Sequence, residues 1–353
     1  MKFTLAYCCY ANEDYIYTNL KNHYNYADEI IISYGPFKDY PKYRELMGLE
    51  PEDNTLNIIK DFINHEDKEN KIKLIIQKDG FKNFTDSRNS WLSHVTGDWF
   101  ASIDCDEFYY LEQMKLAKAM MELYLYDDVN MIQCNRRSFA IDHFHHYDNS
   151  WYSQLFPHGT PNEEIAVFQE DKKQTLQQPN TIGFRNGTAV IPENGFDLFN
   201  VVAYRNKPGM KWAENSIDSF LIDGNGEPYF GDLSKIIYEP NIRYNHYAAC
   251  GNAYDYFAKQ LYYHVVRGAI TSEDELNAKV EYYKNKIEQN PYALMVWFEN
   301  NPGVYFRKMT EPHPQIFNEL KLSSEEKKYV PEADNVTDLD FEERKKMHSE
   351  YSV

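Results

Sequence analysis

Apolar and polar positions alternate along the first half of the chain in blocks of two lengths. Phe3 to Tyr10 is a continuous apolar run and reads as a strand. Asn12, Glu13 and Asp14 then offer cap residues for a helix from Tyr15 to Tyr24, where Tyr15, Ile16, Leu20 and His23 recur at helical spacing. Ile30 to Ser33 is a second strand, so strand, helix and strand follow within about 35 residues as a βαβ unit with a right-handed crossover. A polar stretch to Asp53, rich in Tyr and Pro, reads as an excursion from the sheet. Thr55 to His65 puts Leu56, Ile59 and Phe62 on one side of a helix, and Lys71 to Gln77 is a third strand. A helix beginning at Thr85 and ending at Gly97 leads to a fourth, short strand, giving the β-α-β-α-β-α-β order of a doubly wound, mostly parallel sheet.

Beyond it the pattern is less regular. Glu112 to Tyr126 reads as a helix, and Asn130 to Asn135, Ile182 to Gly187, Phe199 to Tyr204 and Lys235 to Tyr238 as strands. Asn252 to Val266 and Ser272 to Gln289 read as helices, and the acid- and Lys-rich tail from Ser323 as helical or partly disordered. The expected division is 1–250 for the sheet domain and 251–353 for a helical C-terminal extension, either separate or wrapped on the first part.

Composition changes the picture in three ways. The chain has 353 residues with 30 Tyr, 21 Phe and 5 Trp, ample for a large core. Its formal charge of −18 disfavours a general nucleic-acid surface, which needs a net basic face. No run approaches the roughly 18 apolar residues of a membrane span, and the five cysteines lack metal-ligand spacing. A cytoplasmic protein with reduced thiols is expected.

The chemistry concentrates between Gly97 and Tyr110. A turn (Gly97, Asp98) and a short apolar run end on three carboxylates, Asp104, Asp106 and Glu107. Acids at the carboxyl end of such a strand sit where open α/β sheets bind ligands. Two residues apart on an extended chain, Asp104 and Asp106 share a face and repel unless a cation intervenes, for which Mn²⁺ or Mg²⁺ is suited. The alternative is a strand ending in a solvated acidic turn. His143, His145 and His146 form a second cluster, but without Cys or an i, i+4 His pair they read as a loop lining a cleft rather than a zinc site. No Gly-x-Gly-x-x-Gly, P-loop or Gly-x-Ser-x-Gly is present.

Four pieces occur together in order. They are an apolar first strand ending near Asn12-Glu13, an Asp-Glu-Ile-Ile-Ile strand at 28–32, Arg88-Asn89 ahead of Gly-Asp-Trp…Asp-x-Asp-Glu-Phe at 97–108, and His246 after a late strand. In this the chain resembles the family 2-like glycosyltransferases of the GT-A fold. The resemblance implies a metal-dependent enzyme that moves a sugar from a nucleotide-sugar donor to a hydroxyl on a glycan or other acceptor, with inversion. It implies Asp106, His246 and Asp104 as metal ligands, and Asp104, Arg88, Asp86 and Asn12 on the donor side. Arg88 offers a guanidinium suited to phosphate, or lies on an exposed helix face; the alternative for Asp86 is to cap the helix or pair with Arg88. The general base expected of an inverting transfer falls on Glu214, near a helix start, with Asp218 one turn on as second choice. Trp212 beside it is a candidate to stack on an acceptor ring, and Glu107 is expected to turn inward as a structural acid. Many relatives carry an acid just after the second strand, where this chain reads Ser33-Tyr34-Gly35, which leaves the donor base open.

Two other readings stand beside this one. A composition rich in Asn, Lys, Tyr and Ile fits a phage or similar small-genome source, hence an enzyme of the host cytoplasm that glycosylates hydroxymethylated DNA bases, although the −18 charge weighs against it. A non-catalytic sugar- or nucleotide-binding protein on the same fold is the other.

Overall fold

A computed structural model describes residues 1–140, 145–148, 183–185, 188–190, 201–214, 219–229, 235–249, 252–289 and 305–308. The chain begins β1 (Phe3–Cys9), α1 (Ile16–His23), β2 (Glu29–Tyr34), α2 (Tyr40–Leu46), α3 (Thr55–His65), β3 (Ile72–Ile76), α4 (Phe84–Leu92) and β4 (Trp99–Ser102). It continues with β5 (Glu107–Tyr109), α5 (Leu111–Leu123), β6 (Met131–Ala140), β7 (His145–Asp148), β8 (Gly183–Arg185) and β9 (Thr188–Val190). Next come β10 (Val201–Arg205), β11 (Lys211–Glu214), β12 (Ser219–Ile222), β13 (Ile236–Ala249), α6 (Ala253–Val266), α7 (Glu273–Gln289) and β14 (Tyr305–Lys308).

Strands β3, β2, β1 and β4 lie side by side and parallel, the order of a doubly wound half-sheet. β10 joins β4 antiparallel and β6 joins β10 antiparallel, which returns β6 to the direction of β4. The fold is therefore α/β, with a mixed, mostly parallel sheet between helices. Among the described residues no helix is long and apolar enough to cross a membrane.

The period of two decides which helix covers which face. Phe3, Leu5, Tyr7 and Cys9 of β1 belong to one core cluster, with Ile30, Ile32, Trp99, Ala101 and residues of α1, α3 and α5. Ala6, Ile31 and Phe100 point the other way, onto Trp91 and Leu92 of α4 and onto Trp212 of β11. Phe257, Leu261, Val280 and Tyr283 of α6 and α7 lie in the first cluster, so these helices share a core with the sheet. Gly97 sits where β4 begins against β1; a Cβ there would meet Thr4 Oγ1 at 2.6 Å, and its amide donates to that same oxygen.

Four elements differ from the sequence expectation. The excursion before Asp53 contains α2, whose Pro41 stands in the first turn, where a missing N–H costs nothing. Residues 107–109 form a strand because β13, more than 130 residues later, pairs with them. The helix start expected around Glu214 is a hairpin instead, β11 on β12, with Trp212 opposite Leu221 and both buried. Glu214 ends β11 opposite Ser219, and Asp218 lies outside the described residues, as do His143 and most of the C-terminal tail. His145 and His146 lie on β7, paired to β14, rather than in a loop.

Candidate functional site

A cleft with about 640 Å³ of empty space, open to solvent, lies at the carboxyl ends of β1, β2 and β4. Cys8 to Asn12 come from the first strand's end, Gly35 and Phe37 from the second's, and Asp104 to Asp106 from the fourth's. Parallel strands present their ends here together, and the neighbouring helices leave the gap.

The acidic pair is brought together by a turn and not by a shared strand face. β4 stops at Ser102, and the Glu107 amide donates to the Asp104 carbonyl at 3.1 Å, closing a four-residue turn. The Glu107 carboxylate accepts from the Asp104 amide at 3.1 Å, so this acid does turn back on the loop. β13 delivers the third group. It pairs antiparallel with β5 in the register His246 opposite Glu107, and the Tyr247 amide donates to the Asp106 carbonyl at 2.9 Å. As a result one donor atom each of Asp104, Asp106 and His246 lies within 4.8 Å of the others, with His246 Nε2 3.7 Å from Asp106 Oδ1. Asp106 is only 9% exposed. Two carboxylates and an imidazole, one carboxylate nearly dry, are a donor set that fits a hard to borderline divalent ion.

Beneath this loop lies a polar cluster that the sequence reading passed over. Asn19 of α1 is fully buried, and its Nδ2 donates to the carbonyls of Glu107 (2.7 Å) and Cys105 (2.8 Å). Its Oδ1 accepts from the Tyr7 hydroxyl at 3.0 Å. Asn22 Nδ2 donates to His23 Nε2 at 3.1 Å, which leaves the ring proton on Nδ1 to donate to Asn19 Oδ1 at 2.9 Å. Burial pulls His23 down to about 3, so the ring is neutral. The available signal was Asn19 and His23 at i and i+4 on a helix otherwise facing the core. Cys105 stands 3.3 Å from Cys9, sulfur to sulfur, and its thiol is pushed well up, by that hydrogen bond first and then by burial.

The remaining expected residues are distributed as follows. Asn12 lines the cleft; its side chain accepts from the Tyr10 amide at 3.0 Å and its own amide donates to Thr55. Ala11 beside it has φ +56, a left-handed backbone that turns the strand's end across the cleft mouth. Asn83, not Asp86, caps α4: the Asp86 amide donates to Asn83 Oδ1, and the Asp86 carboxylate, in the helix's first turn, accepts from the Lys82 amide. Arg88 lies with its guanidinium 4.6 Å from the Trp212 ring centre and 5.3 Å from that of Phe84. Trp212 is buried against Trp91, Tyr204 and Arg88, which leaves it no open face for an acceptor ring.

The far wall comes from α6, which sequence reasoning left unassigned. Lys259, Tyr262 and Tyr263 line the cleft. Phe37 stacks on Phe84 and on Tyr262, and Tyr262 meets Tyr40 and Tyr43 edge-on. Arg44 of α2, nearly fully buried, pairs with Asp255 one turn before Lys259 and donates from Nε to the Glu50 carbonyl.

This sheet order, with a carboxylate turn after the fourth strand and a late histidine beside it, agrees with the GT-A-type doubly wound sheet expected from the sequence. The family model described as glycosyl transferase family 2 matches residues 50–189, which include α3, β3, α4, β4 and the acidic turn and amount to less than half of the chain. Over those residues the chain is similar to glycosyl transferase family 2. No curated protein sequence matches the chain. Among solved structures, S. aureus TarS 1–349 is 14% identical with a TM-score of 0.38, over 85% of this chain and 73% of that one. The mannosyltransferase PcManGT from Pyrobaculum calidifontis, solved with GDP-Man and Mn²⁺, is 14% identical with a TM-score of 0.37, over 83% and 72%. TarS 1–349 with UDP-GlcNAc is 19% identical with a TM-score of 0.30 over 39% of this chain, which spans about a third (35%) of that one.

Proposed function

We propose that the protein transfers a sugar from a nucleotide-sugar donor to an acceptor hydroxyl with inversion, using a divalent ion, Mn²⁺ or Mg²⁺, held by Asp104, Asp106 and His246. The observation that carries this reading is the convergence of those three side chains at the sheet's carboxyl edge. When bound, such an ion supplies Lewis-acid stabilisation of the diphosphate that leaves.

The chain's own residues supply the rest. Asn19 and Glu107 fix the turn that carries both aspartates, so the donor set is in place before a ligand arrives. Tyr10, Phe37 and Tyr40 give the cleft an aromatic wall on which a nucleotide base can stack, in the absence of an acid after β2. Asn12, at the left-handed bend after β1, lies at the donor side of that wall. We assign the acceptor's proton to Glu214, with Asp218 second. In support of this, β11 packs on α4, and α4 contributes Phe84 and Ser87 to the cleft.

Asp106→Asn keeps the side-chain volume and removes the charge. It is expected to lower metal-dependent transfer and donor hydrolysis by about a thousand-fold with the melting temperature held within a few degrees. Transfer at the wild-type rate in that variant would overturn the reading. Glu214→Gln and Asp218→Asn, assayed for kcat at saturating donor, decide which acid is the base: the correct one loses kcat while donor KM is kept.

A further inference from the structure

Among the described residues that line the cleft, Lys259 is the one cation, and Asp104 and Asp106 are the anions it shares the space with. It arrives from α6, more than 150 residues after the acidic turn, yet its position is fixed from two sides. One turn earlier Asp255 is paired to the buried Arg44, and one turn later Tyr262 and Tyr263 pack against Phe37 and Phe84. A flexible lysine on an exposed helix would carry no such anchoring.

The charges give it a task. A divalent ion bound by two carboxylates leaves that part of the site near neutral. A nucleotide-sugar diphosphate brings two negative charges, and a further one develops as the sugar leaves. A second cation is required, and Arg88, stacked on Trp212, does not line the cleft. Without ion and donor, an ammonium confined with two carboxylates neutralises them instead.

We propose that Lys259 is an exchanging counter-charge: it holds Asp104 and Asp106 in the empty site and moves to the donor's diphosphate when the divalent ion takes the carboxylates. This rests on the donor-site reading above. Tyr263 first, and then Asp106 and Asp104, push Lys259's pKa up against its burial, in keeping with a lysine charged throughout the working range.

The exchange has a signature that damage to the fold lacks, because its two effects have opposite sign. The full-length chain and its Lys259→Met variant are titrated with Mn²⁺ alone, read by the resonance of the free ion. They are then titrated with inorganic pyrophosphate in buffer holding Mn²⁺, read by calorimetry. Removing the competing ammonium is expected to tighten Mn²⁺ about ten-fold, and losing the diphosphate partner to weaken pyrophosphate about ten-fold or more. Lys259→Arg is expected to keep both affinities near wild type, and Lys259→Gln, closer to lysine in polarity, to repeat the methionine result. Unchanged affinities in Lys259→Met, or both falling together, would overturn the inference alone. A wild-type chain that takes up no Mn²⁺ would overturn the donor-site reading beneath it.

Discussion

On one side of the cleft, the Asp104–Glu107 turn is tied down by neutral hydrogen bonds from Asn19, a residue of the first helix. On the other side, α6 is tied down by an ion pair and a set of stacked rings, between segments some 200 residues apart. The first attachment joins the first helix to the turn after β4 through an uncharged side chain. The second joins the C-terminal helices to the sheet through a charge. On the proposed reading the turn gains from fixed geometry, because a displaced carboxylate would lose its distance to an ion. A wall that offers a mobile counter-charge gains from being anchored by its two ends, with Lys259 between.

The largest effects that separate the two attachments fall on the ion pair, and they are asymmetric. Asp255→Ala strands the Arg44 guanidinium, which cannot shed its proton, and is expected to cost about 3 kcal/mol. Arg44→Met costs less, about 1–2 kcal/mol, because the carboxyl left behind can protonate. Burial already pushes Asp255 up to about 7, against the pull of Arg44. Urea denaturation of both variants at pH 7 reads this difference; equal costs would show that the charge on Arg44 is not what holds α6. On the opposite side, Asn19→Leu leaves the Cys105 and Glu107 carbonyls and the Tyr7 hydroxyl without their partner in a dry site. It is expected to cost about 2–3 kcal/mol and to weaken Mn²⁺ binding, measured by calorimetry, whereas Arg44→Met leaves Mn²⁺ affinity within about three-fold.

The same contrast explains what could be read from the chain. β1, α1, β2, α3, β3, α4 and β4 stand close to where the apolar runs put them, because each is defined by its own periodicity and joined by short crossovers. The acids of Asp104 to Glu107 were visible as the abrupt end of such a run. That they converge through a turn was not, since the deciding bond, Glu107 amide to Asp104 carbonyl, competes with extension only once β13 lies alongside. The β11–β12 hairpin was misread as a helix because Trp212 and Leu221 declare their period only as a cross-strand pair. Lys259 was invisible for a related reason. The spacing in 252–266 makes a helix, but nothing local says that its lysine lines the same cleft as Asp104 and Asp106.

Acid gives the smallest and most selective test of the comparison. His23 is wholly buried beside Phe108 and Tyr109, and its folded pKa of about 3 lies below the unfolded value of 6.5. Between those limits the unfolded chain binds a proton that the native one refuses. Stability contributed by the neutral ring is therefore complete above pH 6.5 and is lost as pH falls, by about 1.4 kcal/mol per pH unit, until about pH 3. Asp14, pushed up to about 6 by burial, and Asp255, at about 7, act in the opposite sense, because the native state takes up their protons first. The wild-type profile sums these, so the informative quantity is the difference between wild type and His23→Gln, which cannot charge. That difference is expected to shrink steadily from pH 6.5 to pH 4.5 in urea titrations. A parallel pair of profiles would mean that His23 is solvated, and that Asn19 holds the Asp104–Glu107 turn without the neutral imidazole behind it.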